Sequence, residues 1–285
     1  MKNKILSIAL ICIFIFSSVA FADAETHEAV VSLGKNLSEE QRKEMLNLFG
    51  ANENAKIIEV TNEEEREYLG EFIDEKLLGT RAISSVYVEK LPEGEGIMVD
   101  SRNITWVTND MYRNAIVTAG IKDAKIVVAA PFQVSGTAAL TGIMKAFEDL
   151  TGEEITEVEK KIASEEIAKT ATLGSEIGQE EAEELITNIK MYVVKNNVKR
   201  KGSIKKVVEE MADDLGIELT KEQMDQIVSL MKGISKLNLD IDEIKGQLQD
   251  ISGKIDKITQ QNIEIRSLLE RILDAITNFF SKLFK

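Results

Sequence analysis

The chain has 285 residues, of which 44% are hydrophobic and 29% are charged, and its formal net charge at pH 7 is −14. These fractions are typical of folded rather than disordered chains, and the length allows about two domains. The acidic surplus would repel a phosphate backbone, which argues against a nucleic-acid partner.

The N-terminus has the pattern of a secretory signal peptide over residues 1–22. Two lysines precede an uncharged run over residues 5–21, and the run ends near the small residues Ala20 and Ala22. A positive flank, an apolar stretch and a small-x-small ending together predict export and cleavage after Ala22. The alternative is an uncleaved N-terminal helix that anchors the chain, because the apolar run nearly reaches the length that spans a bilayer.

Cysteine and histidine side chains, which could bind zinc, are few. Cys12 is the only cysteine and lies within the predicted signal peptide, and His27 is the only histidine, so we expect neither a zinc site nor a Ser-His-Asp triad. The acidic clusters at residues 63–67 and 180–184 lack the spaced oxygen ligands and the glycine turn of a calcium loop. Both clusters lie in predicted helices, near their starts, which favours solvated helix faces. We therefore predict no metal site and no cofactor.

Residues 23–150 alternate apolar runs with capped helical segments, which predicts an α/β domain with a mixed sheet and packed helices. The predicted strands cover residues 27–33, 56–60, 83–91, 97–107 and 125–130, and the predicted helices cover residues 38–50, 61–70, 110–119 and 136–150. The Pro-Glu-Gly-Glu-Gly turn at residues 92–96 predicts that the third and fourth strands form a hairpin. The fifth strand is almost wholly apolar and is therefore expected to be central.

Alternation along the fourth predicted strand places Met98, Asp100 and Arg102 on one face, together with Ile104 and Trp106. An aspartate and an arginine on the same face could bind a polar ligand, or they could pair with each other at the edge of the sheet. We favour the ion pair, because exposed pairs are common and need no function.

The turn between the fifth strand and its helix is the best candidate for a binding or catalytic site. Ligands of α/β sheets gather beyond the carboxyl ends of strands, and a helix start offers free N–H groups to an anion. Ser135, Gly136 and Thr137 occupy this position and could hold a phosphate or a carboxylate. The alternative is structural, with Ser135 as the N-cap of the helix and Gly136 easing a tight turn. We favour this alternative, because the lysine of a phosphate-binding loop is missing.

Residues 151–226 contain no convincing strand and predict a helical domain. Helices are expected over residues 153–171, 179–196 and 203–215, and a further helix begins after Thr220, which forms a capping box with Gln223.

Residues 227–285 have the strongest periodicity in the sequence. With Ile227 as an a position, 16 of the 17 a and d positions are apolar, and the exception is Asn262. A seven-residue repeat of this length predicts a long supercoiled helix, and isoleucine at both a and d favours a homo-trimer or homo-tetramer. The alternative is a helix that folds back onto its own domain, or a hairpin broken near residues 237–240. The candidate oligomerisation residues are Ile241, Ile244, Leu248, Ile251, Ile255, Ile258, Asn262, Ile265, Leu269 and Ile272.

The C-terminal end of this segment is aromatic and amphipathic. Phe279, Phe280 and Phe284 widen the apolar stripe, so the tail could contact a membrane surface or be buried in an assembly. It is too short and too charged to span a bilayer.

Several segments resemble the YpuA-like family of secreted proteins. They are SSVYVEKL at residues 84–91, NITWVT at 103–108, TAGIKDA at 118–124, APFQVSGTAALTG at 130–142 and GIELTKEQ at 216–223. The resemblance extends over residues 28–248. That family is a domain of unknown function, so the resemblance implies an exported protein and no particular activity, cofactor or catalytic residue.

The sequence thus predicts an α/β domain followed by an all-α domain that ends in a long heptad-repeat helix. The first functional hypothesis is a non-enzymatic, secreted or extracytoplasmic protein that self-associates through residues 227–285. The second is a small-ligand-binding or hydrolytic domain that acts at the turn of residues 135–137. The third is a peripheral membrane protein held by its C-terminal tail.

Overall fold

A computed structural model describes residues 29–51, 55–239 and 244. The predicted signal peptide and His27 lie outside the described residues. So do the tail phenylalanines Phe279, Phe280 and Phe284, and every candidate oligomerisation residue except Ile244.

The described chain contains an N-terminal sheet with helices and a helix-rich C-terminal part, which confirms the predicted order of the two halves. The strands are β1 (Ala29–Gly34), β2 (Lys56–Val60), β3 (Ser85–Lys90), β4 (Ile97–Ile104) and β5 (Ala124–Val134). The helices of the first half are α1 (Glu39–Leu48), α2 (Asn62–Leu69), α3 (Glu75–Leu78), α4 (Asn109–Thr118) and α5 (Thr137–Thr151). Those that follow are α6 (Glu157–Ile177), α7 (Gln179–Lys195), α8 (Lys201–Leu215) and α9 (Lys221–Ile234).

The five strands form one mixed sheet in the order β2-β1-β3-β5-β4, which confirms the predicted mixture of parallel and antiparallel neighbours. β1 pairs in parallel with β2, and β4 pairs in parallel with β5. β3 lies between them and is antiparallel to both β1 and β5. The apolar strand β5 has a partner on either side, although β3 occupies the centre of the order.

The predicted hairpin between β3 and β4 is wrong, because β5 lies between these two strands. The connecting turn passes across the start of β5, where the side chain of Asp123 accepts hydrogen bonds from the backbone N–H groups of Gly94 and Gly96, at 3.0 and 2.8 Å. A turn sequence specifies where the chain reverses and leaves open whether a third strand enters between the two arms. Because β5 lies between β3 and β4, this apolar strand is hydrogen-bonded to a strand on each side.

The two faces of the sheet are covered unequally. Alternate residues such as Val86, Val88 and Ile126 face α4 and α5 and belong to the main core, which continues into α6. The opposite residues, such as Val31 and Ala129, pack beneath α1 in a smaller cluster. Because α1 is a single short helix, the described residues cover only part of this second face.

The helices α6 to α9 build a second core. Thr156 and Thr220 form capping boxes at the starts of α6 and α9, so the predicted helix start after Thr220 is confirmed in detail. Among the described residues, no helix is both long enough and apolar enough to cross a membrane.

The predicted heptad-repeat helix is not continuous through its first heptads. α9 ends at Ile234, and residues 235–239 are not helical. The first a and d residues, Ile227, Leu230 and Ile234, are buried in the second core, against other helices of the same chain. An apolar heptad stripe must be buried against another surface, but the sequence does not show whether that surface belongs to the same chain or to another. Here α6, α7 and α8 of the same chain bury it.

Ile244, the one candidate oligomerisation residue that the structure describes, is fully buried in the main core of the same chain. This position agrees with the alternative of a segment that folds back onto its own domain. The remaining candidate positions lie outside the described residues.

Candidate functional site

The turn of residues 135–137 lies at the edge of the sheet where the parallel strands end. β1, β2, β4 and β5 all run in the same direction, so the turn after β5 lies at the same edge as the start of α2 after β2. This is the edge at which α/β proteins usually bind ligands. The structure therefore places the predicted candidate turn where the sequence argument expected it.

Gly136, and not Ser135, is the N-cap of α5. Its φ of 97° is left-handed, and α5 has no side-chain hydrogen bond at its cap. The structural alternative for Ser135 was thus wrong in its detail. The hydroxyl of Ser135 instead donates to the carbonyl of Leu77 at 3.0 Å and lies 3.2 Å from the hydroxyl of Thr137.

The interior side of the turn is filled by side chains. The hydroxyl of Tyr112, which is fully buried, donates to the carbonyl of Gly136 at 2.5 Å. A Cβ atom built on Gly136 would overlap this hydroxyl and would lie 2.5 Å from a methyl group of Ile104. The turn is therefore packed against the protein on its inner side.

A buried carboxyl group completes the cluster. Glu65 of α2 is 1% exposed and accepts a hydrogen bond from the amide of Asn62 at 3.0 Å. It also forms a hydrogen bond with the side chain of Thr137, the first residue of α5. Burial raises the pKa of Glu65 to about 7, against the opposing effect of these hydrogen bonds and of the Arg66 charge.

Arg66 holds this cluster in position from the outside. Its guanidinium donates to Asn62 at 2.8 Å and makes two hydrogen bonds of 2.7 Å to the carboxylate of Glu75 in α3. The bidentate contact orients α3 against α2, and the contact with Asn62 orients the amide that donates to Glu65.

Sequence reasoning missed Glu65, because it treated residues 63–67 as one solvated acidic face. Glu63 and Glu67 are indeed exposed, whereas Glu65 faces inward. Helical spacing was the available signal, since Glu65 lies four residues before the buried Leu69 and therefore on the same face.

The cluster as a whole has the chemistry of a closed internal network. The carboxyl group of Glu65 contacts the first residue of α5, in the position where the helix start would attract an external anion. The hydroxyl of Ser135 gives its proton to a backbone carbonyl, and none of its hydrogen bonds among the described residues is to a base. The arrangement stabilises the turn, and among the described residues it gives the hydroxyl of Ser135 no base.

A groove of about 350 Å³ lies beside this network, at the end of β4 and the start of α4. Its lining is mainly polar and includes Thr105, Asn109 and Gln179. A larger cavity of about 560 Å³ lies elsewhere, along the start of α9. Within the described part of the chain, no group of His, Cys, Asp and Glu side chains is placed to hold a metal ion.

Asp100 and Arg102 are both exposed on β4, as their alternation predicted, but the expected ion pair between them is not seen. Neither residue makes a salt bridge with any residue that the structure describes. Trp106 does not share their face: it is buried after the end of β4 and donates to the hydroxyl of Ser175 at 3.2 Å. A bulge between Arg102 and Ile104 changes the direction of the side chains that follow.

A second buried polar cluster joins the two halves of the molecule. The ammonium group of Lys190 is fully buried and donates to the carboxylate of Glu166 at 2.8 Å and to the backbone carbonyl of Asn114 at 3.0 Å. The hydroxyl of Thr118 also donates to Glu166. The sequence showed no sign of this cluster, because its members come from α4, α6 and α7.

Comparison with known proteins identifies similar sequences. A family model described as "Protein of unknown function (DUF1002)" matches residues 33–251. The "Uncharacterized protein YpuA" of Bacillus subtilis (strain 168) is 39% identical over 281 residues, which cover 97% of this chain and 97% of that protein. No solved structure matches the chain.

Proposed function

The chain belongs to the DUF1002 family of proteins of unknown function, and we propose that it is an exported, non-enzymatic protein that acts through self-association and contact with other proteins. The observation that supports the non-enzymatic part is the closed network at residues 135–137. The best candidate for chemistry is filled by Tyr112 and Glu65, and Ser135 has no base within hydrogen-bonding distance among the described residues.

Support for export comes from residues 1–22, whose charge and apolar pattern is that of a cleaved signal peptide. Cell fractionation and intact-mass measurement test it. The expected product is found outside the cytoplasm and begins at Asp23. An Ala22→Lys variant should retain the N-terminal segment, because signal peptidase needs a small residue there.

The matched control for export is Ala24→Lys, which places the same charge beyond the favoured cleavage site. A cytoplasmic protein that keeps residues 1–22 would contradict the proposal.

Support for self-association comes from the apolar a and d positions after Ile244. The test must leave α9 and Ile244 intact, because they belong to the cores of the monomer. Ile258→Asp combined with Ile265→Asp introduces two charges into the d positions. We expect light scattering to show that three or four copies of the natural chain associate through this segment, and that this variant forms a smaller species.

The control is Gln260→Asp combined with Ser267→Asp, which adds the same charges at the same spacing on the opposite side of the heptad. This control should keep the natural mass. A natural chain whose mass shows no association through residues 245–285, or an equal loss in both variants, would contradict the proposal.

A further inference from the structure

The strand β4 forms one edge of the sheet and is uncovered over its second half. It is the last strand in the order, and no described strand pairs with its outer side. Ile97 and Val99 are buried, but Ser101 is exposed although alternation places it on the same face. Met98 is 48% exposed on the other face. Both faces of the strand are thus accessible near Ser101.

The backbone of β4 shows which groups point outward. The carbonyl of Gly96 accepts a hydrogen bond from the N–H of Ala124 in β5, at 3.0 Å. The next carbonyl, that of Ile97, accepts one from the Nε of Arg113 and therefore points away from β5. The backbone N–H and C=O groups of every second residue point to the same side of a strand. Those of Val99 and Ser101 therefore point away from β5, like the carbonyl of Ile97.

The exposed charges of β4 are complementary to those of a second, antiparallel copy of the same strand. Asp100 and Arg102 have opposite charges, flank Ser101 and lie on the same face. An antiparallel two-fold pairing centred on Ser101 would place each Asp100 opposite Arg102 of the second copy. A pairing centred on Asp100 would instead place like charges opposite each other, which is destabilising. Of these two registers, charge favours the one centred on Ser101.

We propose that β4 pairs with β4 of a second copy of this chain, antiparallel and centred on Ser101, so that two five-stranded sheets join into one. This inference rests on the proposed self-association and assigns it a second surface, separate from the heptad segment. In this register the two Ser101 residues form a hydrogen-bonded pair through their outward backbone groups. Asp100 and Arg102 then form the closer, non-hydrogen-bonded pairs, at which cross-strand ion pairs are stabilising.

The bulge after Arg102 limits the ladder to a short central segment. Asn103 has a left-handed φ of 61°, and its side chain donates to the carbonyl of Ala130 at 2.8 Å. The ladder therefore cannot slide far along β4. Because a two-fold contact uses the same edge of both chains, the result is a closed dimer and not a filament.

Charge reversal tests the register. Asp100→Arg places two arginines opposite each other, and Arg102→Asp places two aspartates opposite each other. Each variant alone should raise the dissociation constant of the dimer by about tenfold or more, because two attractive pairs become repulsive. A mixture of the two variants should form a heterodimer, and the Asp100→Arg, Arg102→Asp double variant should dimerise like the natural chain.

The mass and the dissociation constant of each dimer are measured by sedimentation equilibrium. All variants also carry Ile258→Asp and Ile265→Asp, which remove association through the heptad segment. A chain that carries only these two changes and is monomeric, or variants that all dimerise equally, would overturn the β4 pairing.

A disulfide at the two-fold axis gives a second measurement. In a Cys12→Ser chain, Ser101→Cys should yield a disulfide-linked dimer on mild oxidation, because hydrogen-bonded antiparallel partners have Cα atoms about 5.5 Å apart. Met98→Cys is the control: its two copies would lie about 20 Å apart, at roughly 3.3 Å per residue, and should not be linked.

These experiments can contradict the β4 pairing and the heptad association independently of each other. Loss of the Ser101→Cys crosslink in a chain that still forms heptad-dependent oligomers would overturn the β4 pairing and leave the proposed function intact. A Ser101→Cys crosslink that persists in the Ile258→Asp, Ile265→Asp chain would support β4 pairing. A natural chain that forms nothing larger than this dimer would contradict association through the heptads and leave the β4 pairing intact.

Discussion

Gly136 joins β5 to α5 at a point where the chain has no room for a side chain. Its left-handed φ disfavours a Cβ atom, and the hydroxyl of Tyr112 and the methyl group of Ile104 leave no space for one. Glycine at position 136 is therefore required by the packing of the turn.

We expect Gly136→Ala to lower the free energy of unfolding by roughly 2–4 kcal/mol, because left-handed strain adds to steric overlap. The matched control is Gly152→Ala at the other end of α5. Gly152 also has a left-handed φ, of 71°, but a Cβ there meets nothing within 4 Å. Urea denaturation measures both variants, and equal losses would show that overlap at Gly136 contributes nothing.

Glu65 gives the molecule a pH dependence of unusual sign for a carboxyl group. Its pKa in the folded state, about 7, lies above its ordinary value of 4.5, so the folded state binds the proton more tightly than the unfolded state. Glu65 therefore contributes most to the free energy of unfolding below pH 4.5, and this contribution is lost as the pH rises through about 7. The pKa shift corresponds to a contribution of roughly 3 kcal/mol to the free energy of unfolding.

Glu65→Gln should remove this dependence, because glutamine resembles the protonated acid. Between pH 5 and pH 8, the natural chain should lose roughly 2–3 kcal/mol more unfolding free energy than the variant. Glu67→Gln, at an exposed position of the same helix, controls for the loss of one charge. Parallel stability curves for the natural chain and Glu65→Gln would contradict the burial of an ionisable group here.

At the scale of elements, the contact between α4, α6 and α7 depends on the buried Lys190–Glu166 pair. Both side chains are essentially unexposed, and carbonyl and hydroxyl groups of α4 complete their hydrogen bonds. Removing charges from water is costly, so such a pair is stable only when both partners remain. The pair therefore specifies how these three helices meet.

We expect Lys190→Met to destabilise the fold by about 3–5 kcal/mol, because it leaves the Glu166 carboxylate buried without its cation. Combining it with Glu166→Leu should recover part of this loss. Lys205→Met, which breaks the exposed pair with Glu209, should cost less than about 1 kcal/mol. Thermal unfolding of the four chains checks this order, and a double variant less stable than Lys190→Met would contradict it.

At the scale of the whole molecule, the main core continues across the predicted boundary at residue 150. Ala163, Ile167 and Ala171 of α6 and Ile244 belong to the same cluster as the sheet residues. The α/β half therefore has no complete core of its own, and the helices of the second half cover α4.

A chain that ends at residue 150 should accordingly fail to unfold cooperatively, since it would expose the buried face of α4. A chain that ends at residue 247 keeps every described element and should retain one cooperative transition. Calorimetry of the two truncated chains measures this difference, and a cooperative transition in the shorter chain would contradict the shared core.

Much of the local structure follows from the sequence. The capping box at Thr220, the strand at β5 and the turn at Gly136 are set by side chains within a few positions of one another, so spacing alone was enough to predict them. The same reasoning located the candidate turn. It could not predict the contact between Glu65 and Thr137, because these two residues are far apart in the chain.

The sequence by itself determined the order of the two halves, most helix starts, and the alternation that exposes Asp100 and Arg102. Only the tertiary structure decided the strand order, the contact of Glu65 with Thr137, the Lys190–Glu166 contact and which helices cover Ile227 and Ile234. The reason is physical: hydrogen bonding and side-chain periodicity act over a few residues, whereas the choice of covering surface depends on which distant elements pack together.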